Sequence, residues 1–215
     1  MIEELEPTKA AAGSEADALR LAAAIRRLIH RTAALDSVPP GLAEEVAALE
    51  AMADRLEPFT RKGPTRIRTS QNLRSHFERT PIVGVRNPLA PPLTVEIRDG
   101  VVRGRVRFGR AHEGPPGYAH GGLVASAFDE ILGLAAAAGG SPGVTGTLTV
   151  RYRNPTPLDT DLVFEGWLDR AEDRKSHAVG RLLAGDVVMA EAHGVFVRIS
   201  PEKAALLFAE LDDPD

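Results

Sequence analysis

EGPPGYAHGGLVASAFDEILGLAAAA, residues 113–138, joins a loop rich in proline and glycine to a long apolar segment. From Gly122 to Ala138 the spacing is helical, and the apolar surface is broad enough to suit a buried helix. That surface comprises Leu123, Val124, Ala127, Phe128, Ile131, Leu132, Leu134 and Ala135. We therefore predict a core helix over 122–138.

The tripeptide His120-Gly121-Gly122 opens this helix. Two glycines let a ligand approach the backbone closely. Amides at a helix N-terminus point outward, with the positive end of the helix dipole behind them, so a carbonyl oxygen placed there is polarised. We expect His120 to hydrogen-bond the loop and hold the amides in place. The other interpretation is that the glycine pair only opens a helix after a turn.

Asp129 interrupts the apolar segment. At about 100° per residue, the residues that share a helix face with Asp129 are small, which leaves room for a ligand against the helix. These residues are Gly122, Ala125, Ser126, Gly133 and Ala136. A carboxylate in an apolar helix is either paired or has a raised pKa, and both conditions are frequent at functional sites. A core aspartate that caps a neighbouring loop is the alternative.

The pattern from Leu93 onward is that of strands. Strands at 93–98 and 102–108 flank Asp99-Gly100, a typical hairpin turn. Four more are predicted after the helix, at 144–154, 162–170, 175–183 and 187–199. Two strands, one long helix and four strands predict an α+β fold in which an antiparallel sheet wraps a single buried helix.

Three features together resemble a known family: the run EGPPG-x-x-HGG, the Asp nine residues after the His, and the later segment PGVTGTLTVRYRNPTPL. They are similar to the PaaI-type branch of hotdog-fold acyl-CoA thioesterases, closest to the branch of the human carboxyl-terminal modulator protein. The resemblance covers about residues 85–200. It implies a hotdog fold and hydrolysis of an acyl-CoA of medium to long chain, with coenzyme A as part of the substrate.

The resemblance also implies roles for the matching residues. The Gly121 amide polarises the thioester carbonyl, helped by Gly122, while Asp129 acts as base or nucleophile and Thr145 assists. Many relatives carry an Asn in the loop before HGG, where this chain has Glu113 to Gly117, so the part played by that Asn is unassigned.

Thr145 opens a predicted strand whose alternation puts it on one polar face with Thr147, Thr149, Arg151 and Arg153. The sequence does not tell whether Thr145 reaches the helix of Asp129 within one subunit or across a dimer. In the resembled family the reach is across a dimer, because two sheets join edge to edge. A homodimer or a dimer of dimers is therefore implied. From the residues alone, Thr145 could be only a strand-forming residue on a solvent face.

Two basic segments are candidates for contact with coenzyme A. Arg174 and Lys175 follow Asp173 where relatives carry a basic pair near the nucleotide, although a turn with solvated charges would look the same. The irregular connector 59–92 holds Arg61, Lys62, Arg66, Arg68, Arg74, Arg79 and Arg86. These residues either hold phosphates or belong to a solvated linker.

Residues 1–58 predict an N-terminal helical hairpin, with helices at about 15–35 and 42–56 separated by Pro39-Pro40-Gly41. A helix-turn-helix reader of DNA is disfavoured, because the second helix is acidic. A packing or interface role is expected instead. The hotdog domain is placed at 93–200, and a short C-terminal helix and tail follow at 201–215.

Composition agrees with a cytoplasmic enzyme. The 215 residues carry a formal net charge of -4 and no Cys, which excludes disulfides, thiolate metal sites and a Cys nucleophile. The acidic start lacks a signal pattern, and no apolar run approaches the ~20 residues of a membrane span. We expect no metal, no redox cofactor, no nucleic acid and no membrane insertion. The competing functions are a hotdog dehydratase acting on a thioester and a non-hydrolytic acyl-CoA sensor.

Overall fold

A computed structural model describes residues 14–63, 77–91 and 93–198. Its centre is one six-stranded sheet in the order β1-β2-β4-β5-β6-β3, with every neighbouring pair antiparallel. The strands are β1 Thr94–Arg98, β2 Val101–Val106, β3 Val144–Tyr152, β4 Leu162–Glu172, β5 Lys175–Ala184 and β6 Val187–Val197. The predicted α+β hotdog arrangement is confirmed, and the predicted strand ends lie within two residues of these bounds.

The central helix, here α3, spans Gly121–Ala138 and is wrapped by the sheet. Its buried residues are Val124, Ala127, Phe128, Ile131, Leu132, Ala135 and Ala136. Glycines on the inner face of the sheet allow the close approach. A Cβ at Gly104 would lie 2.6 Å from Ile131 Cδ1, and one at Gly166 would lie 2.7 Å from Ile131 Cγ2. A larger residue at these positions would have to displace the Ile131 side chain.

Among the described helices, α3 alone is long and apolar enough to cross a membrane by length and composition. The expectation that no apolar run approaches the length of a membrane span was therefore too strict. Packing within the curved sheet accounts for this apolar character, since core helices of soluble proteins have the same composition.

The hairpin turn between β1 and β2 has the predicted form. Asp99 and Gly100 both lie in the left-handed region, with φ of 52° and 76°. Two consecutive residues with positive φ match the twist of the flanking strands, which is why Asp-Gly is favoured here.

A bulge in β3 contradicts the predicted polar face. Thr145 pairs with Phe196 and Thr147 pairs with Val195, so Gly146 is skipped in the register. Directly paired residues point to the same side of a sheet, and Phe196 is buried in the core. The extra residue therefore turns Thr145 toward α3, while Thr147 and Thr149 face away from it.

The N-terminal helices are α1, Glu15–Ala33, and α2, Leu42–Leu56. Ser14 caps α1, its hydroxyl accepting from the Asp17 amide at 3.2 Å. The two predicted helices are present, and the predicted break at Pro39-Pro40-Gly41 separates them. The α1 helix packs against a short 3-10 turn, Arg110–His112, whereas no residue of α2 is buried.

Several predicted features lie outside the described residues. They are the first 13 residues, the connector residues Arg66, Arg68 and Arg74, and the C-terminal helix and tail at 201–215.

Candidate active site

The loop before α3 is held closed by Glu113. Its carboxylate accepts hydrogen bonds from the Gly117 amide at 2.6 Å and from Arg110 Nη1 at 2.7 Å. The bond from the Gly117 amide, together with the charge of Arg110, holds the pKa of Glu113 below its ordinary value. Glu113 thus fixes the loop that occupies the place of the relatives' Asn.

His120 caps the N-terminus of α3. Its Nδ1 accepts from the Gly122 amide at 3.0 Å, and its own backbone amide donates to the His112 carbonyl at 2.8 Å. The Gly122 amide is therefore occupied by the cap and is not aimed at a ligand. In the part of the chain that the structure describes, the Gly121 N–H has no acceptor. Of the two glycines, Gly121 is the available donor.

Tyr152 ties the start of α3 to the end of β3. Its hydroxyl donates to the Gly121 carbonyl at 2.7 Å, and burial raises the pKa of Tyr152. A Cβ at Gly121 would lie 3.2 Å from the Tyr152 hydroxyl oxygen. The glycine is thus required for close contact with the ring, and the Gly121 amide is held in position from its carbonyl side.

Asp129 and Thr145 are in direct contact. Thr145 Oγ1 donates to Asp129 Oδ1 at 2.8 Å within one chain. The sequence left open whether Thr145 reaches the acid within one subunit or across a dimer. In the structure the bulge at Gly146 turns Thr145 toward its own helix, so the contact forms within one chain and not across a dimer as the resemblance implies. The hydrogen bond fixes one carboxylate oxygen and leaves the other available.

A cavity of about 720 Å³ adjoins Asp129. The α3 side of it consists of Leu123, Ala125, Ser126, Asp129 and Glu130. The predicted strip of small residues is thus partly right, since Ala125 and Ser126 line the cavity. Ala136 does not belong to the strip, because it is fully buried in the core.

Glu130 is a second acid in this cavity, and sequence reasoning missed it. Burial, followed by the negative charge of Asp129, raises the pKa of Glu130 above its ordinary value. The adjacent position in the sequence was the available signal, because neighbouring helix residues lie about 100° apart and can line the same cavity.

Gly121 and Asp129 of one chain do not meet. Eight residues separate them along α3, which corresponds to about 12 Å of helix rise. One carbonyl group cannot contact both the Gly121 amide and the Asp129 carboxylate of the same helix.

Comparison with known proteins agrees with this architecture. A family model described as the thioesterase superfamily matches residues 116–193. A crystal structure of a thioesterase superfamily protein is 34% identical, has a TM-score of 0.76, and is aligned over 84% of this chain and 94% of that chain. The chain belongs to the thioesterase superfamily.

Two curated relatives align with a shorter part of the chain. Acyl-coenzyme A thioesterase THEM5 from Homo sapiens is 34% identical over 93 residues, which are 42% of this chain and 38% of that protein. Acyl-coenzyme A thioesterase THEM4 from Xenopus laevis is 33% identical over 91 residues, 41% of each chain. The chain thus spans about two fifths of the length of these curated relatives.

The basic residues that are candidates for contact with coenzyme A lie apart from the cavity. Arg174 and Lys175 are exposed at the turn between β4 and β5, and Arg61 and Lys62 are exposed after α2. Lys175 and Val144 both pair with Val197. Two strand spacings place Lys175 roughly 10 Å from Val144, at the Thr145 end of the sheet.

The remaining titratable side chains form no further site beside the cavity in the described residues. Among residues 14–63, 77–91 and 93–198, no group of three His, Asp or Glu side chains is arranged to hold a metal ion. His177 and His193 stack on the outer face of the sheet, with Nδ1 and Nε2 3.1 Å apart, away from the cavity.

Proposed function

We propose that this protein hydrolyses acyl-CoA thioesters. One observation carries the proposal: Asp129, with one oxygen held by Thr145, lies at the wall of a cavity and on a helix that begins with a free amide. A fixed carboxylate supplies a base or nucleophile, and an unoccupied helix N-terminal amide stabilises an oxyanion. The activity named for the THEM4 and THEM5 relatives supports the same reaction.

The Asp129 oxygen that Thr145 does not hold can act in two ways. As a base, Asp129 takes a proton from water while the hydroxide adds to the thioester carbonyl carbon. The Gly121 amide stabilises the negative oxygen of the tetrahedral intermediate. Collapse breaks the carbon–sulfur bond, and the coenzyme A thiolate receives the proton from Asp129. As a nucleophile, the same oxygen would add to the carbonyl carbon and expel the coenzyme A thiolate to form an acyl anhydride. Water then hydrolyses the anhydride to the fatty acid and the Asp129 carboxylate, with one water proton going to the thiolate.

A second copy of the chain is needed to complete this site. Within the part of the chain that the structure describes, β3 is an edge strand that pairs with β6 alone. Tyr152 ties Gly121 to one end of β3, and Thr145 ties Asp129 to the other end. Antiparallel pairing of two β3 edges brings the Gly121 end of one copy beside the Asp129 end of the other. We therefore propose a homodimer with two composite sites.

The cavity is large enough for an acyl group. About 720 Å³ lies in the range of roughly 300–1,000 Å³ found for small-molecule pockets. Resemblance to the PaaI-type branch favours an acyl group of medium to long chain.

Arg174 and Lys175 are proposed to contact the phosphates of coenzyme A, because they are exposed at the Thr145 end of the sheet. Changing both to Gln is expected to raise KM for an acyl-CoA severalfold and to leave turnover of the matching pantetheine thioester unchanged, since that substrate lacks the nucleotide. Equal effects on both thioesters would remove these residues from coenzyme A binding. The Arg61→Gln, Lys62→Gln double variant, assayed on the same two thioesters, tests whether the connector contacts coenzyme A.

The central test is thiol release by the wild type and by Asp129→Asn. The Asn side chain has the same size and keeps an oxygen that accepts from Thr145, but it can neither take a proton nor attack. We expect kcat to fall at least about a hundredfold and Tm to change little. Activity within about threefold of wild type would remove Asp129 from the mechanism. Saturable acyl-CoA binding by the wild type without thiol release would instead indicate a sensor.

A further inference from the structure

The cavity beside Asp129 is lined in part by segments of the chain outside the hotdog domain. Its walls include Ile29 of α1 and Ile82, Pro88 and Leu89 of the segment 81–90. Facing them are Leu123 of α3 and Leu148 of β3. The wall opposite Ala125, Ser126 and Asp129 of α3 is therefore largely apolar, and the N-terminal part of the chain contributes it.

Arg26 holds the segment 81–90 against α1. Its Nε donates to the Ala90 carbonyl at 2.8 Å, and its Nη2 donates to the carbonyls of Asn87 at 2.8 Å and Val85 at 3.3 Å. One guanidinium thus joins three carbonyls to one helix, a geometry that its planar fork suits.

His30 attaches α1 to the hotdog domain one turn further along. Its Nδ1 accepts from the Ala111 amide at 3.2 Å, and its ring meets that of His112 edge-on at 4.9 Å. Ile29, which lies between these two attachments, is therefore held in place over the cavity.

The cavity wall also leaves apolar surface uncovered. Leu89 lines the cavity and is 68% exposed, whereas Ile82 beside it is only 8% exposed. The apolar side chains that line this concave wall, Leu89 among them, offer a surface on which an apolar ligand can bind.

We propose that α1 and the segment 81–90 form the closed end of the acyl pocket and that Ile29 limits the length of the acyl chain. This inference rests on the proposed function, since it assigns the cavity to the acyl group of the same substrate. Each methylene that finds apolar surface raises affinity by about fourfold, and methylenes beyond the end wall add nothing.

The experiment compares Ile29→Trp and Ile29→Ala with wild type on butanoyl-, octanoyl-, dodecanoyl- and hexadecanoyl-CoA. Ile29→Trp is expected to lower kcat/KM for the longest substrate by at least about tenfold and for the shortest by less than about threefold. Ile29→Ala is expected to move the preferred length upward. The matched control is Leu28→Trp, because Leu28 is 41% exposed on α1 and lies outside the cavity.

An unchanged length preference in both Ile29 variants would overturn the inference. So would an Ile29→Trp effect that is equal at all four lengths or that Leu28→Trp reproduces. If the wild type releases no thiol from any substrate, the proposed function fails separately. The inference is then tested by calorimetric binding of non-hydrolysable acyl-CoA thioethers of the same lengths. Affinity should stop rising at a shorter length in Ile29→Trp, and an identical length dependence in both proteins would refute the inference.

Discussion

At the scale of single residues, the site depends on one free amide and one anchored carboxylate. His120 removes the Gly122 amide from the available donors, and Tyr152 fixes Gly121 through its carbonyl. Only the Gly121 N–H remains to meet a developing oxyanion. In the proposed mechanism a backbone group therefore stabilises the oxyanion, and ordinary side-chain substitutions leave that group intact.

Proline at position 121 tests this amide directly. Gly121 is the first residue of α3, where proline is tolerated, and His120 has φ -63° and ψ 129°, which suits a residue before proline. Gly121→Pro should keep the fold and lower kcat about a hundredfold or more, because it removes the N–H. The control is Gly121→Ala, which keeps the N–H but places a Cβ 3.2 Å from the Tyr152 hydroxyl oxygen. Equal activity in the two folded variants would place the carbonyl elsewhere.

Residue types and spacing identify part of this site. The HGG motif and the acid nine residues after His120 are visible in the sequence, because both lie in one local segment. Tyr152 and Arg26 are not, since their partners lie 31 and as many as 64 residues away. Glu130 gains its raised pKa from burial, which the apolar pattern of α3 does not report.

At the scale of elements, the decisive feature is the bulge in β3. Strict alternation puts Thr145 on the same face as Thr147, but the skipped Gly146 turns it toward Asp129. An isolated glycine inside a strand is the signal that favours a bulge. Helix and strand positions otherwise follow from periodicity, because one face of each element is buried. The contact of α1 with the 3-10 turn Arg110–His112 could not be predicted, since the two lie far apart in the sequence.

The attachment of α1 has a pH dependence that can be measured. Burial, followed by the charges of His30 and Arg26, lowers the pKa of His112 from 6.5 to about 4. The unfolded chain therefore binds more protons than the folded chain between these values. The contribution of neutral His112 to the free energy of unfolding is therefore complete above pH 6.5 and is lost as pH falls toward about 4.

Substitution by asparagine removes this titration. His112 Nδ1 accepts from the Gly109 amide at 3.1 Å, and an Asn oxygen can accept in its place without binding a proton. We expect Tm of His112→Asn to fall less steeply than that of wild type from about pH 7 to about pH 4. Thermal unfolding at several pH values measures both slopes. Parallel slopes would contradict a neutral His112 in the fold.

At the scale of the whole molecule, the two halves of the site lie on different parts of one helix. About 12 Å separates the Gly121 and Asp129 levels of α3. The unpaired β3 edge offers a way to bring these groups together across two copies. Active protein should therefore contain paired sites, each using the amide of one copy and the acid of the other.

Mixing two inactive variants tests this account most directly. Gly121→Pro and Asp129→Asn chains, refolded together in equal amounts, would form heterodimers with one intact site and one doubly altered site. Random assortment should restore about a quarter of wild-type thiol release from acyl-CoA, although each variant alone is nearly inactive. Activity no higher than the mean of the two variants would contradict a site shared between copies.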